Sequence, residues 1–495
     1  MKQVGHTGFL LNSQNVRRGI LIPRYYDPEI TQSLHALKGQ FDLVELKRLI
    51  VDGKVLHSHG DYVPKIHYGT GPYPYIRTSD LANWEVKASP KHGVPRAVLD
   101  EYAPSQDIQV GDIFFVHEGT YLIGSVAMVT EQDGAMLYQH HLAKFRVLAG
   151  APFNKYFLLA ALEAPLVRRQ IRSKQFSADI IDSVVGRLDE VVIPCPKDHQ
   201  RLIKIEETVE SAVLRRARLR RMIAEDCKNL DFWLSGATKQ DRVSDALSVT
   251  STHESSPAFL GGRRGFNARA LSTKRLVNNI LLPRYYDPEI ETALISYRAR
   301  CNVISVGDLE RRGQIRLTTG DEIGRMNYGT GNIPFVRTSD FGSWELKREA
   351  KQGVSEAVYK EWATRQGVLA GDILLVRDGT YLVGTSVLVA EQDLPLLFCG
   401  GIYRIRSEDW DTLPPAFLFA VLNTPFVRRQ MRNKQFTRDV IDTLGQRLSE
   451  VFLPIPKDPN DVRTIASKFS ASLDERVRLR AELHKVSESM FTTQR

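Results

Sequence analysis

The sequence carries one long pattern twice, and this repeat restricts the fold more than any other feature. The stretch GTGPYPYIRTSDL at 69–81 returns as GTGNIPFVRTSDF at 329–341, so that Arg77 corresponds to Arg337 at an offset of 260 residues (337 minus 77). LIPRYYDPE at 21–29, GDIFFVHEGTYLIG at 111–124 and PLVRRQIRSKQF at 165–176 return at the same offset. Solenoid repeats are shorter, at about 20–50 residues. The chain therefore consists of two copies of one domain-sized unit.

Each copy begins with a part of mixed secondary structure. The apolar runs DIFFV and TYLIGSVAMV, bounded by Gly and Asp, predict strands. Glu118-Gly119 and Asp378-Gly379 fall between such runs and predict tight turns. The segment FNKYFLLAALEAPLVRRQIRS predicts a helix that is interrupted near Pro165. The first part of each copy is therefore predicted to be a mixed α and β domain.

Each copy ends with a segment that predicts one long helix. Asp198 is a predicted N-cap, and Pro459 follows Asp458 at the first helical position, where proline is favoured. At ~1.5 Å per residue, a helix of about 34 residues is roughly 50 Å long. Neither helix can bury its apolar stripe alone, so the two are predicted to pair as a coiled coil. The stripes are Leu202, Ile205, Val209, Ala212, Val213, Ile223 and Leu230, and Ile465, Phe469, Leu473, Val477, Leu483, Val486 and Met490.

These patterns predict an α+β protein in which two mixed domains are each followed by a long helix. The two helices are predicted to pair, which gives the chain a pseudo-twofold symmetry. The predicted parts are a first domain at 1–195, a first helix at 196–233, a Ser-, Thr- and Gly-rich linker at 234–266 with room for one short helix, a second domain at 267–455 and a second helix at 456–495.

Composition narrows the class of partner and the compartment. The formal net charge of +9 and pI near 9.2 favour an anionic partner, although the bias is mild over 495 residues. None of the four cysteines stands in CxxC spacing, so neither a disulfide framework nor a zinc site is indicated. The N-terminal residues lack the pattern of a signal peptide, and no run of about 18 apolar residues occurs. We expect a protein of the reducing cytoplasm.

The repeated RTSD segment is the first candidate binding site. Arg77 and Arg337 each carry five donors in a planar fork, which suits phosphate or guanine. An alternative is that each arginine pairs with Asp80 or Asp340 and only locks a turn. The candidate DNA-binding residues of this segment are Tyr68, Arg77, Thr78 and Ser79 in the first copy and Tyr328, Arg337, Thr338 and Ser339 in the second.

A second candidate is the basic stretch VRRQIRSKQF and its counterpart. Its cations are Arg168, Arg169, Arg172 and Lys174 in the first copy and Arg428, Arg429, Arg432 and Lys434 in the second. A helical surface this basic suits a phosphate backbone, but a charge run is also typical of an ordinary solvated face. The run RRARLRR at 215–221, on the first long helix, is interpreted as a solvated face or a partner contact.

An enzymatic alternative rests on an Asp followed by Glu-x-Lys in both copies. Asp80, Glu85 and Lys87 match Asp340, Glu345 and Lys347, a trio that a Mg²⁺-dependent nuclease could use. The ligands of such sites normally come from separate strands, which disfavours this interpretation. His57, His59 and Asp61 also suggest a metal site, but Leu317 and Thr319 replace the two histidines in the second copy.

The segments RTSD, GDILLVRDGTYLVG and VVIPCPKDHQRLI resemble the specificity subunit of type I restriction-modification enzymes. The resemblance covers nearly the whole chain outside the linker, although Asn460 replaces the counterpart of Gln200. It implies that each mixed domain is a target recognition domain for one half of a split DNA site. It further implies that the helices form an antiparallel spacer on which methyltransferase subunits dock. A restriction or translocase subunit would be a further partner. The chain would be non-catalytic and hold no cofactor, while S-adenosylmethionine would bind the partner methyltransferase.

If the resemblance holds, the differences between the copies identify candidates for base reading. Such positions are Tyr73 and Ile333, His92 and Gln352, His117 and Arg377, and Glu118 and Asp378. Of these, His117 and Arg377 are the candidate DNA-binding residues, each reading one half-site. The alternative is neutral drift after duplication. A third interpretation of the whole chain is a scaffold of a defence complex that binds DNA without sequence preference.

Overall fold

The computed structural model describes residues 16, 20–119, 121–178, 181–236, 276–277, 280–348, 350–379, 381–438 and 441–492. The predicted linker falls largely outside these ranges, and so does its short helix. In the first copy the helices are α1 Pro28–Leu37, α2 Leu46–Val51, α3 Arg96–Gln106, α4 Lys155–Glu163, α5 Pro165–Ser173 and α6 His199–Ser235. In the second they are α7 Pro288–Arg300, α8 Val306–Arg311, α9 Glu356–Gln366, α10 Pro415–Leu422, α11 Pro425–Asn433 and α12 Pro459–Ser489.

The strands repeat in the same order in both copies, except that an isolated Phe341–Leu346 bridge stands in the second copy where the first has β4 and β5. The first copy contains β1 Phe41–Glu45, β2 Val55–His59, β3 Tyr73–Ile76, β4 Leu81–Ala82, β5 Trp84–Val86, β6 His92–Val94, β7 Ile113–Val116, β8 Glu118–Gly119, β9 Val126–Met128, β10 Leu137–Tyr138, β11 Leu142–Val147, β12 Phe176–Ala178, β13 Ile181–Ser183 and β14 Val192–Pro196. The second contains β15 Cys301–Ser305, β16 Ile315–Thr319, β17 Ile333–Val336, β18 Gln352–Val354, β19 Ile373–Val376, β20 Asp378–Gly379, β21 Ser386–Leu388, β22 Leu397–Phe398, β23 Ile402–Ser407, β24 Phe436–Arg438, β25 Ile441–Thr443 and β26 Phe452–Pro456.

A central sheet forms the core of each mixed domain. Its strand order is β2-β11-β7-β9-β5-β4 in the first copy and β16-β23-β19-β21 in the second. The strands β7 and β19 are buried along their whole length because helices cover them, and so they read as continuous apolar runs. The two pairs Phe41↔Pro196 and Cys301↔Pro456 begin identical antiparallel ladders, β1-β14 and β15-β26, just before the long helices. The α+β prediction is confirmed.

Two local predictions have different outcomes. The helical segment is interrupted where proline was expected, since α4 ends at Glu163 and α5 begins at Pro165. The tight turns predicted at Glu118-Gly119 and Asp378-Gly379 are wrong. These dipeptides form the short strands β8 and β20, which pair with β13 and β25. Tertiary pairing with a distant strand has overridden the local turn preference.

The two long helices pair in antiparallel orientation. Near one end Arg201 donates to the carbonyl oxygen of Met490 (3.1 Å), and near the other Lys468 binds Asp226 (2.6 Å). The N-caps are the predicted ones, because the Asp198 and Asp458 side chains accept backbone N–H groups in the first turn. The predicted stripe residues are buried or half-buried along both helices. The predicted coiled-coil pairing is confirmed.

Each long helix also completes the core of the opposite copy. Leu479 and Leu483 of α12, and Met490 directly after it, pack into the core of the first mixed domain. The first long helix does the reverse, with Ile223, Cys227, Leu230 and Leu234 packed into the core of the second. The two copies therefore interlock around the pseudo-twofold axis instead of standing apart at the ends of a rod.

A buried ion cluster lies on this axis. Its members are Arg216, Arg476, Glu85 and Glu345, and their side chains are at most 9% exposed. Arg216 binds Glu345 of the other copy, and Arg476 binds Glu85 of the other copy. The prediction of a solvated face at 215–221 is therefore wrong for Arg216, and also for Arg220, which is buried against the carbonyl oxygen of Val86 and the Asp133 carboxylate. The helix turns these guanidinium groups towards the mixed domains.

Candidate nucleic-acid interface

The RTSD turn follows the same short strand in each copy and is closed by its own aspartate. The Asp80 carboxylate accepts the backbone N–H of Arg77 (3.0 Å) and that of Lys91 (3.0 Å). Asp340 does the same with Arg337 (2.8 Å) and Lys351 (3.1 Å). The aspartate therefore locks the turn through backbone groups, and the guanidinium of the arginine is not its partner. The alternative of a direct Arg–Asp pair is wrong.

The arginine guanidinium instead lies beside a tyrosine ring in both copies. Arg77 lies 5.8 Å from the ring centre of Tyr68, and Arg337 lies 5.9 Å from that of Tyr328. In the first copy Arg77 also donates to Gln139 (3.2 Å) and to the ring nitrogen of His92 (3.3 Å). Burial lowers the pKa of His92 to about 4, so at neutral pH the ring accepts this bond.

The second copy lacks both of these partners. Cys399 and Gln352 stand where the first copy has Gln139 and His92. Within the described ranges, no residue accepts a hydrogen bond from the Arg337 guanidinium. The donors of Arg337 are therefore available to a ligand, whereas those of Arg77 are partly engaged.

Glycine determines the approach of the chain to this site. A Cβ at Gly71 would lie 2.3 Å from the carbonyl oxygen of Val94, and one at Gly331 would lie 2.5 Å from that of Val354. Such contacts are with backbone and cannot relax cheaply. A side chain at Gly71 or Gly331 would therefore displace the backbone next to the Tyr68–Arg77 and Tyr328–Arg337 clusters.

The serines of the RTSD turns contact the opposite copy. The Ser79 side chain lies beside the Tyr381 side chain, and the Ser339 side chain beside that of Tyr121. A lysine stacks on each of these rings: Lys91 lies 5.1 Å from the centre of the Tyr381 ring and Lys351 lies 4.8 Å from that of Tyr121. Thr78 and Thr338 are half-buried beside them. Each turn thus contacts a tyrosine of the other copy, Tyr381 or Tyr121, a relationship the sequence did not reveal.

Most cations of the predicted basic helix face are engaged inside the protein. In α5, Arg169 binds Asp27 (2.6 Å), and Lys174 binds Glu190 (3.1 Å) over the Tyr25 ring. The second copy repeats these pairs with Arg429 to Asp287 (2.7 Å) and Lys434 to Glu450 (2.9 Å). These ion pairs hold the PRYYDPE segment against the helix, and the prediction that these four cations contact phosphate stays a prediction.

The other four cations of that stretch differ among themselves. Arg168 pairs with Glu163 (2.7 Å), and burial lowers the pKa of Arg428 to about 10. Arg172 and Arg432 are exposed. Arg172 lies at a cavity of about 330 Å³ between the copies, which Lys347 and other cationic side chains also line.

The two residues predicted to read bases, His117 and Arg377, differ in their exposure. His117 is 3% exposed, donates to the carbonyl oxygen of His140 (2.8 Å), and has its pKa lowered to about 4 by burial. It lies in a group of histidines with His57 and His59. The His117 ring is enclosed, and the prediction that it reads a base stays a prediction. Arg377 pairs with Asp378 (2.7 Å) but remains partly exposed in the wall of an open cavity of about 700 Å³.

The geometry does not assemble the nuclease trio. Asp80 faces backbone amides, and Glu85 faces Arg216 and Arg476 on the pseudo-twofold axis. Lys87 is buried beside Lys347, and desolvation lowers its pKa to about 7. Throughout the described part of the chain, no three His, Cys, Asp or Glu side chains are arranged to hold a metal ion. None of the helices in those ranges is both long and apolar enough to cross a membrane.

Comparison with known proteins gives matches at the level of structure. No protein-family profile and no curated protein sequence matches the chain. The type I restriction-modification S subunit from M. genitalium is 13% identical, with 92% of this chain and 97% of that chain covered and a TM-score of 0.36. The HsdS subunit from Thermoanaerobacter tengcongensis is 16% identical, with 92% and 96% covered and a TM-score of 0.25.

A chain from a study of complex assembly and conformational transition of the type I R-M system is 15% identical, with 91% of this chain and 96% of that chain covered and a TM-score of 0.25.

Proposed function

We propose that the chain is a DNA-recognition subunit that reads a bipartite site, one half with each copy. The observation that carries this is the pair of Tyr–Arg clusters, Tyr68–Arg77 and Tyr328–Arg337, held at equivalent positions around one pseudo-twofold axis. The two strands of duplex DNA run in opposite directions, so readers related by a twofold axis suit two inverted half-sites. The cross-copy contacts at Ser79 and Ser339 would keep the half-site spacing constant.

In this proposal the phosphate and base contacts come from different residues. Arg337 and Arg77 supply guanidinium donors beside an aromatic ring, with Lys91 and Lys351 close by. Arg377, in an open cavity of the second copy, has an enclosed histidine as its counterpart, so the two half-sites would be read differently. The formal net charge of +9 favours attraction to DNA.

The proposal includes a non-catalytic role and a methyltransferase partner. The carboxylates that a nuclease would use are occupied by backbone amides and arginines. Methyltransferase docking on the long helices, with S-adenosylmethionine bound by that partner and a restriction subunit as a possible addition, comes from the motif resemblance alone.

The test is a selection from randomised duplex DNA in Mg²⁺, with the purified chain alone and together with its methyltransferase partner. We expect two short motifs separated by a fixed spacer, and intact DNA. A parallel selection with Arg337→Ala should weaken the enrichment. Enrichment of one continuous motif, no enrichment under either condition, or DNA cut by the chain alone would reject the proposal.

A further inference from the structure

A short turn in front of each Tyr–Arg cluster projects an apolar side chain into solvent. The turns are Lys65–His67 and Arg325–Asn327, and their middle residues Ile66 and Met326 are 69% and 91% exposed. Water-exposed apolar side chains of this size are normal when scattered singly. These two occupy equivalent positions of the two copies.

The two copies differ in sequence around this turn but keep the same residue classes at its centre. Residues 63–67 read VPKIH and residues 323–327 read IGRMN, so all five positions differ. A cation precedes an exposed apolar residue in both. Among the exposed large apolar side chains of the described ranges, Leu21 and Leu281 form another equivalent pair, but they belong to a segment that is nearly identical in both copies. Within the described ranges, only the turns at 65–67 and 325–327 keep an exposed large apolar side chain at equivalent positions although their sequences differ.

Each turn is continuous along the chain with the Tyr–Arg cluster of its own copy. The backbone N–H of Tyr68 donates to the carbonyl oxygen of Lys65 (3.1 Å), and that of Tyr328 donates to Arg325 (3.2 Å). The next residues form the glycine turn, and the Tyr68 and Tyr328 rings lie beside Arg77 and Arg337. Each copy thus presents, in one stretch, an exposed cation, an exposed apolar side chain and an Arg–Tyr pair.

We propose that Ile66 and Met326 contact the apolar surface of DNA bases, each in its own half-site, and this rests on the proposed function. The flanking Lys65 and Arg325 would face phosphates, which leaves the apolar side chain directed at the groove. The apolar surface of a base is available in two ways: as a thymine methyl in the major groove, or as a base face exposed when a step is partly unstacked by an apolar wedge. The different shapes of isoleucine and methionine would suit different half-sites.

The experiment uses the full chain, with its methyltransferase partner if binding requires it, on the duplex found by selection. The variants are Ile66→Ser and Met326→Ser. The matched control is Ile295→Ser, because Ile295 is also 69% exposed but its counterpart in the first copy is His35. We expect Ile66→Ser to lower affinity for the selected duplex by about tenfold through one half-site, and Met326→Ser through the other. Affinity for random DNA and the salt dependence should stay unchanged, Ile295→Ser should bind as the parent does, and Ile66→Met should retain most of the affinity.

Two modified duplexes distinguish the base surfaces. Uracil in place of thymine reproduces the loss if a methyl group is the contact. A 2-aminopurine that brightens with the parent chain but not with Ile66→Ser indicates an unstacked step. If Ile66→Ser and Met326→Ser bind like Ile295→Ser while the parent chain remains selective, the inference is wrong and the proposed function stands. A loss that is equal on random DNA, or one with neither signature, also rejects the base contact. If the parent chain selects no sequence, the proposed function itself has failed.

Discussion

Arg216 and Arg476 stand at equivalent positions of the two copies, and each donates a hydrogen bond to the other's backbone carbonyl oxygen, at 2.8 and 3.0 Å. The pseudo-twofold axis therefore passes between them. Their Nη2 groups bind Glu345 and Glu85, which reach the axis from the two mixed domains. This buried cluster joins four separate segments of the chain at one point.

We predict that Arg216→Met destabilises the protein by about 3–5 kcal/mol, because it leaves a buried glutamate without its main partner. Arg216 binds Glu345 with both side chains less than 5% exposed. Adding Glu345→Gln should recover part of the loss, since it removes the unpaired charge. Urea denaturation of the two single variants and the double variant measures the coupling. Additive effects would show that the two groups do not depend on each other.

The interlocked cores predict that neither copy is stable alone. A fragment of residues 1–236 would expose the Ile223, Leu230 and Leu234 side chains that the second copy covers. It would also lack Leu479 and Leu483 in its own core. Each such side chain contributes about 1.5–3 kcal/mol when buried. We expect fragments 1–236 and 262–495 to form a one-to-one complex when mixed, as measured by light scattering. A monomeric fragment 1–236 that melts as cooperatively as the full chain would contradict this.

The histidines of the first copy predict a loss of stability in mild acid. Burial is the first cause that lowers the pKa values of His57, His92 and His117, each to about 4. The unfolded chain, with histidine pKa values near 6.5, then binds more protons than the folded chain between about pH 4 and 6.5. Stability should therefore be fully present above pH 6.5 and fall as the pH drops towards 4.

His57→Leu provides the control for this prediction, since Leu317 occupies the equivalent position of the second copy. The variant should reduce the slope of the free energy of unfolding against pH by up to about 1.4 kcal/mol per pH unit, which is the effect of one proton. Chemical denaturation at several pH values measures it. An unchanged slope in His57→Leu would mean that this ring is already protonated in the folded protein.

The two RTSD arginines should differ in their effect on DNA binding. The Arg337 guanidinium has no hydrogen-bond acceptor within the described ranges, whereas that of Arg77 donates to Gln139 and His92. If Arg337 contacts a phosphate, Arg337→Ala should reduce the slope of log K against log salt by about 0.9 and weaken binding to all sequences. Arg77→Ala should have the smaller effect.

Arg169→Ala is the matched control, because Arg169 is paired with Asp27 and Glu29. It should leave the salt slope unchanged. A salt slope that falls with Arg169→Ala but not with Arg337→Ala would return the DNA contact to the basic helix.

The buried Lys87 predicts that stability also depends on pH in the alkaline range. Desolvation, together with the neighbouring Lys347, lowers the pKa of Lys87 to about 7. Between pH 7 and the ordinary lysine pKa near 10.4 the unfolded chain binds more protons, so this group's contribution to stability should rise with pH across that range. Lys87→Met should flatten the rise. A Lys87→Met protein whose stability still climbs as steeply would assign the effect to another group.

The sequence by itself determined the elements that depend on local patterns. The 260-residue repeat predicted two equivalent units, the caps at Asp198 and Asp458 marked the helix starts, and Pro165 marked the break between α4 and α5. These signals act over a few residues or recur at a fixed offset, so a single chain reveals them.

Only the tertiary structure decided which charged groups are buried or paired within the protein. Arg216 and Glu345 are separated by 129 residues and Arg476 and Glu85 by 391, so no spacing rule links them. The run RRARLRR has the charge pattern of a solvated face. Its local sequence does not show that two mixed domains cover the helix. His117 and Arg377 show the same limit: one position is enclosed and its counterpart partly exposed, because the strands that surround them carry different side chains. Burial and pairing are properties of the assembled fold, and they decide whether a cation binds the protein or its partner.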